Sequence, residues 1–194
     1  MRKMLQLTDA EKQRLLDLAR KALEEVVRCG RMSEPAEPAD ALQTPCGAFV
    51  TLYKGRHLRG CIGHIEARRP LYATVRECAR AAALDDPRFD PVAPAELPSL
   101  RLEISLLSPL VDIAPQDVEV GRHGLLISRG ATRGLLLPQV AVEWNWEREQ
   151  FLEETCLKAG LPADAWLHGA RIQAFTAQVL KEPSKRAHAS PPAS

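Results

Sequence analysis

Apolar positions along this chain switch between a helical and a strand-like rhythm, and the switches divide it into elements. Leu15, Leu18, Ala22 and Val26 recur at helical spacing behind a capping box of Thr8 and Glu11. A helix is therefore predicted from Thr8 to about Arg28, its apolar stripe resting on a sheet. From Gly30 to Pro45 the residues turn to Pro, Glu, Asp and Ala, which reads as an irregular surface connection. Two strand-like runs, Gly47 to Tyr53 and His57 to Ile62, flank Lys54-Gly55-Arg56 and predict an antiparallel hairpin. Pro70 suits the first turn of a second helix running through Leu84, with Leu71, Val75, Cys78 and Ala82 on one stripe.

Pro87, Pro91, Pro94 and Pro98 stiffen the loop from Asp85 to Ser99, a plausible cleft wall presenting Asp86, Arg88 and Phe89. Arg101 to Leu107 alternates as a strand buried on one side should, with Leu102, Ile104 and Leu106 against Glu103 and Ser105. Leu125 to Ser128 and Arg133 to Leu137 predict a second hairpin that Pro138 ends. A helix entered around Trp144 to Trp146 and closed by Gly160 turns Phe151, Leu152, Thr155, Cys156 and Ala159 inward, and Arg171 to Thr176 returns as a last strand. Residues 183–194 carry no core-forming pattern and are expected to be a disordered tail. Helices mixed with hairpins, and no glycine-rich phosphate loop, indicate an α+β fold and no nucleotide cofactor.

Composition narrows the function classes. A chain of 194 residues, 45% hydrophobic and 26% charged, fits one globular domain or two small lobes. A net charge of +1 gives no reason to expect nucleic acid as a partner. No apolar stretch approaches a signal sequence or a membrane span, so a cytoplasmic protein away from membranes is expected. Five cysteines, an odd number with no Cys-x-x-Cys pair, are expected to be thiols in a reducing compartment. Cys78 and Cys156 lie on apolar helix faces and read as core.

The chemistry concentrates in Leu58-Arg59-Gly60-Cys61-Ile62-Gly63. Glycines inside a strand mark close approach of a backbone or a ligand. On period two, His57, Arg59 and Cys61 share a face, and a thiol beside a fixed cation has its thiolate stabilised. The competing reading is a small cysteine in a sheet core with Arg59 reaching an acidic partner. Glu103 is the first candidate for a carboxylate meeting Arg59 or Arg88. His57, Cys61 and His64 make a weak metal set, because only His57 shares the face of Cys61, and no metal is expected. Cysteine-dependent catalysis also needs a base and donors for an oxyanion, for which His123 and the amides beside Gly60 and Gly63 are candidates.

The same hexapeptide resembles the AMMECR domain family, also called AmmeMemoRadiSam system protein A. The resemblance is carried further by Asp86-Pro87-Arg88-Phe89, Leu102 to Leu107, His123 to Ile127, Gly134 to Ala141, Phe151-Leu152, Thr155-Cys156, Lys158 to Leu161 and Trp166. It runs from about Thr8 to Glu182, a single domain over 8–182. It implies two subdomains, each an antiparallel sheet with helices, the larger containing both chain ends, with the hexapeptide facing a cleft between them. It implies, as partners, a Memo-like protein and a radical S-adenosylmethionine (SAM) enzyme. On that basis the chain is expected to be a cysteine-dependent enzyme or substrate-binding component using Cys61 and His123, with Arg59, Gly60, Gly63, Asp86, Arg88, Phe89 and Glu103 around the substrate and no cofactor. The alternative is a non-catalytic adaptor in which Arg88 binds a carboxylate or phosphate through its fork.

Overall fold

The computed structural model describes residues 4–38, 40–66 and 68–183. The expected disordered tail lies outside these residues except for Pro183. The chain divides into two compact units. The first is built by Leu7–Ser105 and the stretch from Val179, the second by Leu106–Gln178 with residues 4–6.

In the first unit, helix α1 spans Asp9–Cys29 and starts at the expected capping box, with the Thr8 N–H donating to Glu11 and the Glu11 N–H to Thr8 Oγ1. It stops at Gly30, whose φ of 70° is the left-handed conformation a helix end favours. Strands β1 (Ala48–Lys54) and β2 (His57–His64) form the predicted hairpin, and α2 spans Leu71–Leu84. The Leu71, Val75, Cys78 and Ala82 stripe of α2 is buried against this hairpin. Helix α1 packs on α2, and its Arg20 donates to the Leu100 carbonyl at 3.0 Å. The buried stripe of α1 includes Leu16, Ala19 and Leu23, while Leu18 is only half-buried.

Strand β3 (Leu100–Leu107) was expected to be buried on one side, and the structure corrects this. A strand the sequence pattern does not reveal, β8 (Ala177–Lys181), joins the sheet in the order β2-β1-β3-β8. That makes β3 an inner strand, and Glu103 and Ser105 are buried as well as Leu102 and Ile104. The proline-rich loop contains a short 3-10 helix, Pro94–Ser99.

The second unit holds an antiparallel sheet in the order β4-β7-β5-β6, built from Val111–Asp112, Arg171–Phe175, Gly124–Arg129 and Thr132–Leu136. Pro138 starts helix α3 (Pro138–Glu143) as its first residue, and α4 spans Arg148–Lys158. Phe151, Leu152 and Cys156 of α4 are fully buried with Leu125, Ile127 and Ala174 of the sheet. Among the described residues no helix is long and apolar enough to cross a membrane.

Candidate functional site

The site is a stretch of the edge strand β2 and the loop that follows α2, all within the first unit. Residues paired across an antiparallel ladder share a face. Thr51 pairs with Cys61 and Leu52 with Gly60, but Tyr53 pairs with Leu58, so the register skips Arg59 in a β-bulge. The bulge overturns the expected face of His57, Arg59 and Cys61. Beyond it Leu58 lies on the face of Cys61, and His57, opposite Lys54, lies on the other. His64, paired with Ala48, is also on that other face. An unbroken ladder would have set Val50 opposite Cys61, whereas the bulge brings Thr51 there.

The glycines explain why a strand this close to a helix can form. A Cβ on Gly60 would lie 2.1 Å from the Ala82 carbonyl oxygen of α2, so glycine is what lets β2 touch the helix backbone. Gly60 therefore marks the α2 side of the sheet, and Cys61 points to the opposite side. A Cβ on Gly63 would lie 2.2 Å from the Phe49 ring, which covers that position. The close approaches inferred from these glycines are thus made by a helix backbone and a phenyl ring.

At Cys61 the main chain of the edge strand turns its polar groups outward, and the loop supplies partners for them. The Cys61 N–H donates to Asp86 Oδ2 at 2.8 Å, and the Cys61 carbonyl accepts from Arg88 Nη2 at 3.3 Å. Asp86 also accepts from Arg88 Nε at 2.9 Å, from Nη2 at 2.6 Å and from the Arg88 N–H at 3.1 Å. The pair thus occupies the place of a neighbouring strand and covers the edge. The Asp86 side chain is only 2% exposed and that of Arg88 49%. Hydrogen bonds from Arg88, reinforced by the two backbone N–H groups and opposed by burial, hold the Asp86 carboxyl down at about 2.

The half-buried Cys61 thiol accepts from Thr51 Oγ1 at 3.3 Å. The side-chain contact matches a pairing in which the Cys61 amide is not spent on β1, the arrangement in which opposed side chains come closest. The Arg88 guanidinium, kept protonated chiefly by Asp86, also interacts with the Cys61 thiol. Arg59, the cation expected to do this, is committed elsewhere. Its Nε and Nη2 bind Glu96 at 3.1 and 2.9 Å, and Nη1 binds the Asp90 carbonyl at 2.9 Å. Hydrogen bonds from Arg59, with help from the Ala93 N–H and Lys54, bring the Glu96 carboxyl down to about 2. Phe89 is half-buried and lies under the Arg88 guanidinium, 5.4 Å from its ring centroid.

Glu103 does not meet Arg59 or Arg88, which corrects the first candidate for their partner. Its carboxylate lies 3.4 Å from Arg101 and from Lys181, because the inner strand β3 offers it the neighbouring β8. Arg101 lies over the Tyr53 ring, which puts Arg101 and Glu103, two residues on, on the face that carries Thr51 and Cys61. His123 belongs to the second unit. Its Nδ1 accepts from the Glu119 N–H at 3.1 Å, and burial lowers its pKa and favours the neutral imidazole. Thr51 and Glu96 were not anticipated. The bulge hides the first, while Pro94 with Glu96 two residues on is a helix-start signal that would have suggested a fixed carboxylate there.

Of the five thiols, Cys78 and Cys156 are fully buried; burial pushes Cys78 up to about 12 and raises Cys156. Cys46 is buried and Cys29 exposed.

Residues 16–180 match the family model AMMECR1. Protein TK0174 of Thermococcus kodakarensis is 47% identical over 183 residues, covering 87% of this chain and 88% of that protein. A protein of Methanothermobacter thermautotrophicus is 44% identical over 177 residues, covering 87% of this chain and 92% of its own length. The crystal structure of the uncharacterized protein PH0010 from Pyrococcus horikoshii superposes with a TM-score of 0.83 at 41% identity, over 89% of this chain and 92% of that one. With the family model spanning both units and a solved relative sharing the α+β fold of two antiparallel sheets, the chain belongs to the AMMECR1 family.

Proposed function

We propose that the first unit carries a thiol site centred on Cys61, and that the protein is a cysteine-dependent enzyme or substrate-binding component working alongside a Memo-like protein and a radical SAM enzyme. The observation that carries this reading is the setting of one thiol. Cys61 is half-buried on an edge strand, takes a hydrogen bond from Thr51 and interacts with a guanidinium that a buried carboxylate fixes. Polar donors and a fixed cation favour the thiolate, the reactive form. In this reading Arg88 and Thr51 act on the sulfur, Asp86 positions Arg88, and Arg59 with Glu96 anchors the loop. His123 can take a proton only at Nε2, since Nδ1 is occupied.

The test is alkylation of the intact protein by iodoacetamide at pH 7, with each cysteine followed by peptide mass spectrometry. Cys61 should be modified well ahead of the exposed Cys29. Equal rates at the two would remove the thiol site.

A second reading, a protein-binding module, is favoured by apolar side chains exposed on the second unit, with Trp144 at 68% and Val142 at 59%. The forked recognition of an anion by Arg88 is not favoured, because that fork is spent on Asp86. Loss of co-purification with a Memo-like protein in Trp144→Ala, with Cys61→Ser unaffected, would favour the module over the thiol site.

A further inference from the structure

We propose that the first unit holds a second site, independent of Cys61, that binds a small organic anion with one negative charge and an apolar body. It is a cavity between α1, α2 and the connection that follows α1. That connection is tied down at two places. Ser33 donates to Glu25 of α1 from its N–H at 2.8 Å and from its hydroxyl at 2.7 Å, and its carbonyl accepts from Arg76 of α2. Further on, Asp40 accepts from Arg14 of α1 at 2.6 Å and from the Leu42 N–H at 3.0 Å. A cavity of about 560 Å³ is left against the two helices, within the range of small-molecule sites.

The walls set the class of ligand. Arg14, Leu18 and Lys21 share one face of α1 at helical spacing, so an apolar side chain lies between two cations about 10 Å apart along the axis. Leu18, part of an apolar helical rhythm, is only half-buried because it faces this cavity. Half-buried Pro35 and buried Pro38 add apolar wall with no N–H to satisfy. Arg14, Lys21 and Arg76 are set against Glu37 and Asp40, which leaves one positive charge in excess. Arg14 is spent on Asp40, whereas Arg76 gives only Nη2 to the Ser33 carbonyl. Lys21 lies 3.7 Å from a Glu25 whose two oxygens already accept from Ser33. Lys21 and the remaining donors of Arg76 are therefore the groups that meet a ligand's carboxylate or sulfonate, with Leu18 and the prolines against its apolar body. A polyphosphate would bring more charge than the walls balance, and a neutral molecule would leave both cations unmatched. Two other cavities of the first unit, about 510 and 380 Å³, carry acids and bases in equal number and attract no net charge.

The experiment titrates the full chain at pH 7 with anilinonaphthalene sulfonate, an aromatic monoanion that fluoresces when bound, and then adds octanoate or inorganic phosphate as competitor. The expected result is saturable binding that octanoate displaces and the same concentration of phosphate does not. Affinity should fall about tenfold in Arg76→Gln and severalfold in Lys21→Gln and in Leu18→Gln. Urea midpoints report whether each variant is folded. Arg76→Gln also gives up a tie to Ser33, and Lys21→Gln, which disturbs only a surface ion pair, keeps the test decisive. Trp144→Ala, at the exposed apolar side chain of the second unit, should leave binding unchanged. No saturable binding, an affinity unchanged in folded Lys21→Gln and Leu18→Gln, or binding lost in Trp144→Ala would overturn the proposal. Displacement by phosphate as readily as by octanoate would overturn the ligand class, leaving a simple anion site.

Discussion

Replacing Asp86 by alanine should destabilise the first unit. The carboxylate is nearly fully buried and accepts four hydrogen bonds, from the Cys61 N–H, the Arg88 N–H, and Arg88 Nε and Nη2. Without it the Cys61 amide, on a half-buried residue of an edge strand, loses the carboxylate that accepts from it at 2.8 Å. An unsatisfied backbone N–H costs about 1–3 kcal/mol. The ion pair adds at most about 1 kcal/mol, because Arg88 is half exposed and water takes up its released donors. The sum is about 1–4 kcal/mol for Asp86→Ala. Asp86→Asn, which keeps an oxygen for the Cys61 N–H, should lose about 1–2 kcal/mol.

The pH dependence has a defined sign. The folded value of Asp86, about 2, lies below its ordinary 3.8, so its contribution is complete above pH 3.8 and is lost as pH falls through 2. Urea unfolding at pH 7 and at steps from 4 down to 2 measures both effects, with an unchanged m value as the check on two-state behaviour. An Asp86→Ala protein within about 0.5 kcal/mol of the wild type would refute this account of the edge.

Gly60→Ala should cost about 2–4 kcal/mol, since its Cβ meets backbone of α2, and Gly63→Ala less, since its nearest obstacle is a ring that can turn; equal urea midpoints for the two would contradict the packing described. Glu96, down at about 2 from 4.5, contributes stability that is complete above pH 4.5 and lost as pH falls through 2, so Glu96→Gln should be weaker than wild type by about 1 kcal/mol at pH 7 and should converge with it near pH 2, read from urea midpoints.

Much of the fold was legible because its signals are local. The Thr8–Glu11 capping box, the Gly55 turn and the α2 stripe each declare themselves within a few residues, and each is found where the pattern placed it. What escaped was long-range. Strand β8 begins two residues after β7 yet belongs to the other sheet, and its arrival is what makes β3 an inner strand and buries Glu103. The site shows the same division. Cys61, Asp86, Arg88 and Phe89 were singled out and are found together. The one-residue bulge at Arg59, which nothing in the hexapeptide announces, moved His57 off the face of the thiol and exchanged Val50 for Thr51 as the residue opposite it. Arg59 and Arg88 thereby differ from the expected roles: the nearer cation in sequence anchors a loop, and the distant one reaches the sulfur.

That difference is the most direct point at which to test the central claim. The rate of Cys61 alkylation at pH 7 should be measured in wild type, Arg59→Ala and Arg88→Gln, with Cys29 in the same molecule as the reference and circular dichroism confirming the fold. The account predicts that Arg88→Gln slows Cys61 severalfold while Arg59→Ala leaves its rate close to wild type. A Cys61 that responds to loss of Arg59 and not to loss of Arg88 would contradict it.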